Sequence, residues 1–305
     1  MHRRDFLRQS GQGALWLSAA PGLSALATPA FAATTPDVAV VEGVPAQATR
    51  AAVQMLGGMG TVVKPGDRVV VKPNMSFTTP ADMGANSHPE VVATVTALCW
   101  EAGAGSVLIL DHTLASPQVC LERSGIAAAA DSVRDGMTFA INEADLYRDT
   151  AIPEAKALKS IGVVKTALEA DVLIAVPTAK SHSSAGVSLA MKGMMGLVND
   201  RWVMHRRGLD HSIVDLASLL KADLSVIDAN YVLTTGGPRG PGRVHHARQV
   251  IASRDMVAAD AYTVQAYEWY GRKFQPRQVG HILRAHERGL GRMDLENLRV
   301  ETLTL

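Results

Sequence analysis

Short β-branched runs alternate with longer alanine-rich segments along most of this 305-residue chain. The runs are 38–41, 68–71, 106–110, 172–176, 224–227 and 250–252, each of strand length. Between them, residues 47–56, 89–102, 117–124, 213–220 and 257–270 carry helical spacing, with Ser87 or His88 as a cap ahead of Pro89. Strand-then-helix alternation predicts an α/β fold: a mostly parallel sheet flanked by helices. Gly57-Gly58-Met59-Gly60 and Lys64-Pro65-Gly66-Asp67 read as turns into the second strand. Residues 143–160 are polar and irregular, and are expected to leave the main sheet as an excursion or a hairpin.

The N-terminal stretch is not part of that pattern. Arg3-Arg4-Asp5-Phe6-Leu7, a mildly apolar run and Ala30-Phe31-Ala32 read as a twin-arginine export signal over residues 1–32. Pro21 and Gly22 make its apolar run a poor membrane span. Residues 33–305 are then expected to form a single periplasmic α/β domain, exported folded by the twin-arginine translocase and free of the membrane after signal cleavage. Removing residues 1–32 takes three basic residues from 30 and one acidic residue from 29, so the remainder is close to neutral. No basic balance suited to nucleic acid is present. Cys99 and Cys120 are the only cysteines and form no C-x-x-C pair, which excludes a cysteine-ligated iron–sulfur cluster within this chain. Cys99 falls on the apolar side of its helix, so two buried free thiols are expected rather than a disulfide.

Polar clusters follow the ends of the apolar runs: Lys72-Pro73-Asn74, Asp111-His112, Lys180-Ser181-His182, Asp228-Ala229-Asn230 and Ser253-Arg254-Asp255. In parallel α/β sheets the carboxyl ends of the strands form the crevice where ligands bind. Lys192 lies in the apolar, glycine-punctuated stretch 186–197, where it either faces a pocket holding an anion or snorkels to the surface while the methionines fill the core. Ser181, its neighbouring serines and the glycines of this stretch offer hydroxyl and amide donors to an oxyanion, but no Walker or G-x-G-x-x-G pattern accompanies them. His112, His182, His205 and His211 sit beside carboxylates or lysines; imidazole and carboxylate suit either acid–base work or a divalent metal. His245-His246, beside Arg243 and Arg248, reads as a solvated basic patch. Gly236-Gly237-Pro238-Arg239-Gly240-Pro241-Gly242 reads as a tight loop whose amides, that of Gly237 among them, either line the same rim or serve the turn alone.

The chain resembles the domain-of-unknown-function 362 family, in its twin-arginine-exported branch. The resemblance rests on Lys72-Pro73-Asn74, His88-Pro89-Glu90, Asp111-His112, Pro177-Thr178-Ala179-Lys180-Ser181-His182, Ser188-Leu189-Ala190-Met191-Lys192, Ile227-Asp228-Ala229, Gly236-Gly237-Pro238 and Ser253-Arg254-Asp255, and runs nearly end to end. Many relatives carry a ferredoxin-like cysteine module, which implies redox or cofactor-linked chemistry; this chain lacks that module. The Asp-His and Lys-x-His elements are also loosely similar to the rim of nickel-pincer lactate racemases.

These readings lead to a periplasmic enzyme acting on a small anionic substrate. Lys72, Asn74, Lys180, Ser181, Lys192 and Gly237 are the expected binding residues, and His112, His182 and Asp111 the expected catalytic ones. If a divalent metal takes part, His205 and Asp228 are its expected ligands. Two other classes stay open: a binding protein that captures an anion, metal or metal chelate, and a subunit of an exported complex whose redox partner supplies the cluster.

Overall fold

The computed structural model of the protein describes residues 35–305. The export-signal reading of residues 1–32 therefore falls outside the described residues. Pro36–Leu305 form one compact unit, in which no helix is long and apolar enough to cross a membrane.

The strands are β1 (Val38–Glu42), β2 (Arg68–Pro73), β3 (Ser106–Asp111), β4 (Thr138–Ala140), β5 (Tyr147–Ala151), β6 (Ser160–Val164) and β7 (Val172–Val176). They continue as β8 (Thr178–His182), β9 (Gly186–Ser188), β10 (Leu224–Leu233), β11 (Val244–Ser253), β12 (Glu268–Trp269), β13 (Arg272–Lys273) and β14 (Val300–Thr304). The main sheet has the order β14-β1-β11-β10-β7-β2-β3-β4, with β8 and β9 continuing from β10. From β10 to β4 every neighbour is parallel, while β11 runs antiparallel to both β1 and β10. The expected mostly parallel α/β fold is what forms.

Helices cover both faces. Helices Pro45–Met55 and Pro89–Glu101 bury Ala48, Ala52, Val53, Val91, Val92 and Val95 against Val69 and Val71 of β2, Val107 and Ile109 of β3, and Ile174 of β7. On the other side lie the short helix Ala190–Gly193 and the helices Leu209–Leu219, Met256–Ala266 and Gly280–Glu287, packed on one another. Strand alternation puts Val69 and Val71 on the first face and Lys72 on the second. That parity aims a lysine into the layer built by residues 190–197.

Three local outcomes differ from the sequence expectation. β10 and β11 each run to ten residues, because their polar halves pair as an antiparallel ribbon beyond the apolar segments 224–227 and 250–252. His245 and His246 lie exposed on that ribbon. The helix expected over 257–270 stops at Ala266: Trp269 turns into the core, its Nε1 donates to the Val264 carbonyl, and Tyr270-Gly271 closes a small β12–β13 hairpin with φ values of 55° and 74°. Residues 178–182, read as a loop, form the fully buried strand β8.

The polar segment 143–160 does leave the main sheet, as the antiparallel β5–β6 hairpin. Its return loop is held by Asp215, whose carboxylate accepts the backbone N–H groups of Lys156, Ala157 and Leu158 and pairs with Arg288 at 2.6 Å. Burial works against the charged carboxyl there, but these donors outweigh it and hold its pKa below the ordinary value. Cys99 and Cys120 are buried and unbridged, and burial pushes the Cys99 thiol up to about 12.

Candidate functional site

The carboxyl ends of β2, β3 and β8, with β9 and residues 192–205, enclose a cavity of about 320 Å³. Lys72, Lys180, Lys192 and Arg201 line it, and Asp111 is the only carboxylate lining it among the described residues. His182, His205, Asn74, Ser76, Ser183, Ser184 and Ser188 supply its remaining polar surface.

The floor is a buried ion pair. Lys72 Nζ lies 3.0 Å from Asp111 Oδ1, both side chains 1% exposed, and also donates to the Pro73 carbonyl. Asp111 Oδ2 accepts the Met75 N–H at 2.9 Å and the Ser76 hydroxyl at 2.7 Å. Asp111 thereby anchors the β2–β3 rim through Oδ2, while Oδ1 faces Lys72. Burial lowers the Lys72 pKa even against the pull of Asp111.

The residue that lets this pair close is Gly196. A Cβ on Gly196 would sit 2.0 Å from Asp111 Oδ1 and 2.6 Å from Lys72 Nζ. Its carbonyl accepts the His112 N–H at 2.8 Å, which ties the 194–197 turn to the end of β3.

Lys180 and Lys192 are the less satisfied cations. Lys180 is 3% exposed, donates to the Ala85 carbonyl and lies 5.2 Å over the Phe77 ring. Lys192 is 8% exposed, and among the described residues its hydrogen-bond partner is the weak acceptor Met195 Sδ at 3.4 Å. Lys192 lines the cavity and does not reach the surface. Burial pushes both amines down to about 7; for Lys180 the charges of Lys72, Lys192 and Arg201 add to it, and Asp111 opposes. Arg201 donates to the His112 carbonyl, while its buried Nε lacks a partner among the described residues.

These shifts carry a consequence for stability. Each amine has its ordinary value of 10.5 when unfolded and about 7 when folded, so between those pH values the unfolded chain binds more protons. Stability is therefore expected to rise from about pH 7 to about pH 9, by about 2 kcal/mol per lysine. Urea midpoints at the two pH values check it: the rise should shrink in Lys192→Met, and an identical rise in wild type and variant contradicts it.

His182 Nδ1 accepts the Ser184 N–H at 3.2 Å, which leaves its proton on Nε2. Burial first, then the charges of Lys192, His205 and Lys180, push its pKa down to about 3, so the ring is neutral and donates. It stacks on His205 at 6.2 Å between centroids, and His205 in turn meets the 70% exposed Trp202 at 5.6 Å.

The structure thus brings Lys72, Asn74, Asp111, Lys180, His182, Lys192 and His205 to one cavity. Four sequence candidates stand apart. His112 is turned away: its Nδ1 lies 3.0 Å from the Val198 carbonyl and 3.2 Å from the Tyr147 hydroxyl. Ser181 Oγ accepts the Gly237 N–H at 3.0 Å, so these two brace one another behind the wall, and Pro238 reaches the lining instead. Asp228 is buried and occupied by the His88 N–H and by the backbone and side-chain N–H groups of Asn230. It does not share a site with His205. A divalent metal does not suit this donor set: four cationic side chains converge there, and no group of three or more His, Cys, Asp or Glu able to hold a metal occurs among the described residues. Arg201, Trp202, Ser76 and Phe77 were missed by the sequence reading; the Asp200 cap, which accepts from the Trp202 and Val203 N–H groups, is the local signal that starts the helix carrying Arg201 and Trp202.

Fold and cavity together define an open-sheet α/β protein with a ligand-sized, cation-rich pocket at the carboxyl rim of its strands. The chain belongs to the family described as Domain of unknown function (DUF362), which matches residues 69–265. It is similar to the thylakoid-associated protein sll1697 of Synechocystis sp., 27% identical over 219 residues that make up 69% of this chain and 66% of that protein. Similar solved structures include the lactate racemase apoprotein of Thermoanaerobacterium thermosaccharolyticum, at 13% identity and a TM-score of 0.42 over 68% of this chain and 54% of that one. A structural-genomics protein from Thermotoga maritima matches at 14% identity and a TM-score of 0.38 over 82% of this chain and 59% of that one. The chain accordingly spans just under two thirds of the curated relative and between half and three fifths of these solved chains.

Proposed function

We propose that the protein is an enzyme that removes a proton from the carbon next to the carboxylate of a small organic anion. The observation that carries this reading is the convergence of four cationic side chains on one cavity with a single carboxylate, itself already paired. Such a field attracts an anion and stabilises negative charge developing on it. An amine with a pKa of about 7 is matched to proton transfer near neutral pH. One of Lys180 and Lys192, charged, holds the carboxylate; the other, neutral, accepts the proton. The C–H bond breaks, its proton passes to Nζ, its electron pair forms a C=C bond to the carboxyl carbon, and the displaced C=O pair moves onto the carboxylate oxygen, giving an enediolate. His182 Nε2–H and Arg201 donate toward that oxygen. The base is thus a lysine in this reading, with neutral His182 as a donor. Arg3-Arg4 and the small residues Ala30 and Ala32 support export of the folded chain to the periplasm.

The test follows solvent deuterium into a panel of small carboxylates by NMR, with calorimetric binding of the same panel. Lys192→Met should slow exchange by about 100-fold or more and weaken binding of every carboxylate that wild type binds. Unchanged binding in Lys192→Met removes the anion site. Tight binding to wild type with no exchange turns the reading from catalysis to capture.

A further inference from the structure

The mouth of the cavity differs in chemistry from its floor. Of the large apolar side chains exposed on the described surface, two line this one cavity: Trp202, 70% exposed, and Leu114, 58% exposed. An exposed tryptophan gives up more burial than any other side chain could, and exposed apolar groups gathered at a cavity mark a contact surface. Trp202 is not isolated. It tilts against His205 at 5.6 Å, and His205 stacks within 25° of parallel on His182 at 6.2 Å. These three rings form a ladder from the solvent-exposed mouth to the cation-lined interior, where the positive charge of Lys192 acts on both histidines. Phe77 and Met195 add buried apolar lining beside Lys180 and Lys192.

We infer that the ligand of this cavity is an aryl anion, with its acidic group on Lys192 and Lys180 and its ring against the ladder headed by Trp202. This deepens the anion-site reading above and rests on it. A cavity of about 320 Å³ lies at the small end of ligand pockets, which suits one ring with a short acidic arm. Rings of a planar ligand meet Trp202 and His205 in offset or tilted contact, gaining where an aliphatic acid gains nothing. Trp202 stands on the first turn of its helix with no packing role in the core, so removing it leaves the fold intact.

The experiment is calorimetry at about pH 6.5 on the mature protein with acetate, benzoate and phenylacetate, and with inorganic phosphate and phenyl phosphate. Wild type should bind at least one aryl member about tenfold or more tighter than its ring-free partner. Trp202→Ala should cut that ratio to about twofold or less while acetate and phosphate affinities stay put. Lys192→Met should weaken aryl and ring-free anions together. Equal affinity for aryl and ring-free anions, with Lys192→Met still harmful, overturns the aryl inference and leaves the anion site standing. Selectivity that survives in Trp202→Ala overturns the assignment of the ring to the ladder. No binding of any member overturns the inference together with the anion reading beneath it.

Discussion

Asp111→Asn is expected to lower the unfolding free energy by about 3–5 kcal/mol, the cost of leaving one member of a buried ion pair without its partner. Lys72 Nζ then faces a neutral amide at 3.0 Å in a site 1% exposed, with three further cations lining the same cavity. Asparagine keeps the shape, and its oxygen can still accept from Met75 N–H and Ser76 Oγ, so the loss reports charge rather than packing. Denaturant midpoints of the single and double variants separate these effects. Lys72→Met combined with Asp111→Asn should recover a large part of the stability, because no buried charge remains. A double variant whose losses simply add, or an Asp111→Asn that unfolds like wild type, contradicts the pairing.

The second large effect belongs to a residue with no side chain. Gly196→Ala puts a methyl group 2.0 Å from Asp111 Oδ1, 2.3 Å from Lys72 Cε and 2.6 Å from Lys72 Nζ. Neither neighbour can yield: the carboxylate is held by three donors, and the lysine is walled in on both strands. The 194–197 turn must lift instead, breaking the bond from His112 N–H to the Gly196 carbonyl. A loss of about 3 kcal/mol or more is expected, at the upper end of overpacking costs. Because the same turn carries Met195 and follows Lys192, anion affinity should fall with it. Gly193→Ala is the control: its Cβ would meet nothing closer than Pro177 Cβ at 3.7 Å, so stability should change by under about 1 kcal/mol. Similar behaviour of the two alanine variants would contradict the clamp.

Much of the floor was legible because strand ends announce themselves. Lys72, Asp111 and Lys180 each follow or end an apolar run, and a parallel sheet gathers such ends on one rim. His112 broke the pattern although it follows Asp111: its ring turns to Val198 and Tyr147, because successive residues leaving a strand point to opposite sides. Ser181 and Gly237 were read as ligand donors and instead satisfy one another, which no spacing reveals across 56 positions. Asp228 is a strand residue of β10, and its carboxylate caps the His88 N–H ahead of the helix Pro89–Glu101. Arg201 and Trp202 were illegible for the opposite reason: a charged residue and an aromatic one in a polar stretch look like ordinary surface until the helix start at Asp200 brings them over the cavity.

The order of apolar runs and alanine-rich segments by itself determined the α/β class, because hydrophobic periodicity is a local property of the chain. It also placed Lys72 and Asp111 at the ends of β2 and β3. Whether Lys192 faced solvent or a pocket, which histidine reached the cavity, and that Gly196 must lack a Cβ were decided only by tertiary structure. Each depends on the approach of segments distant in the chain, the 192–205 stretch against β2 and β3, and on the burial that makes a charge costly unless something compensates it.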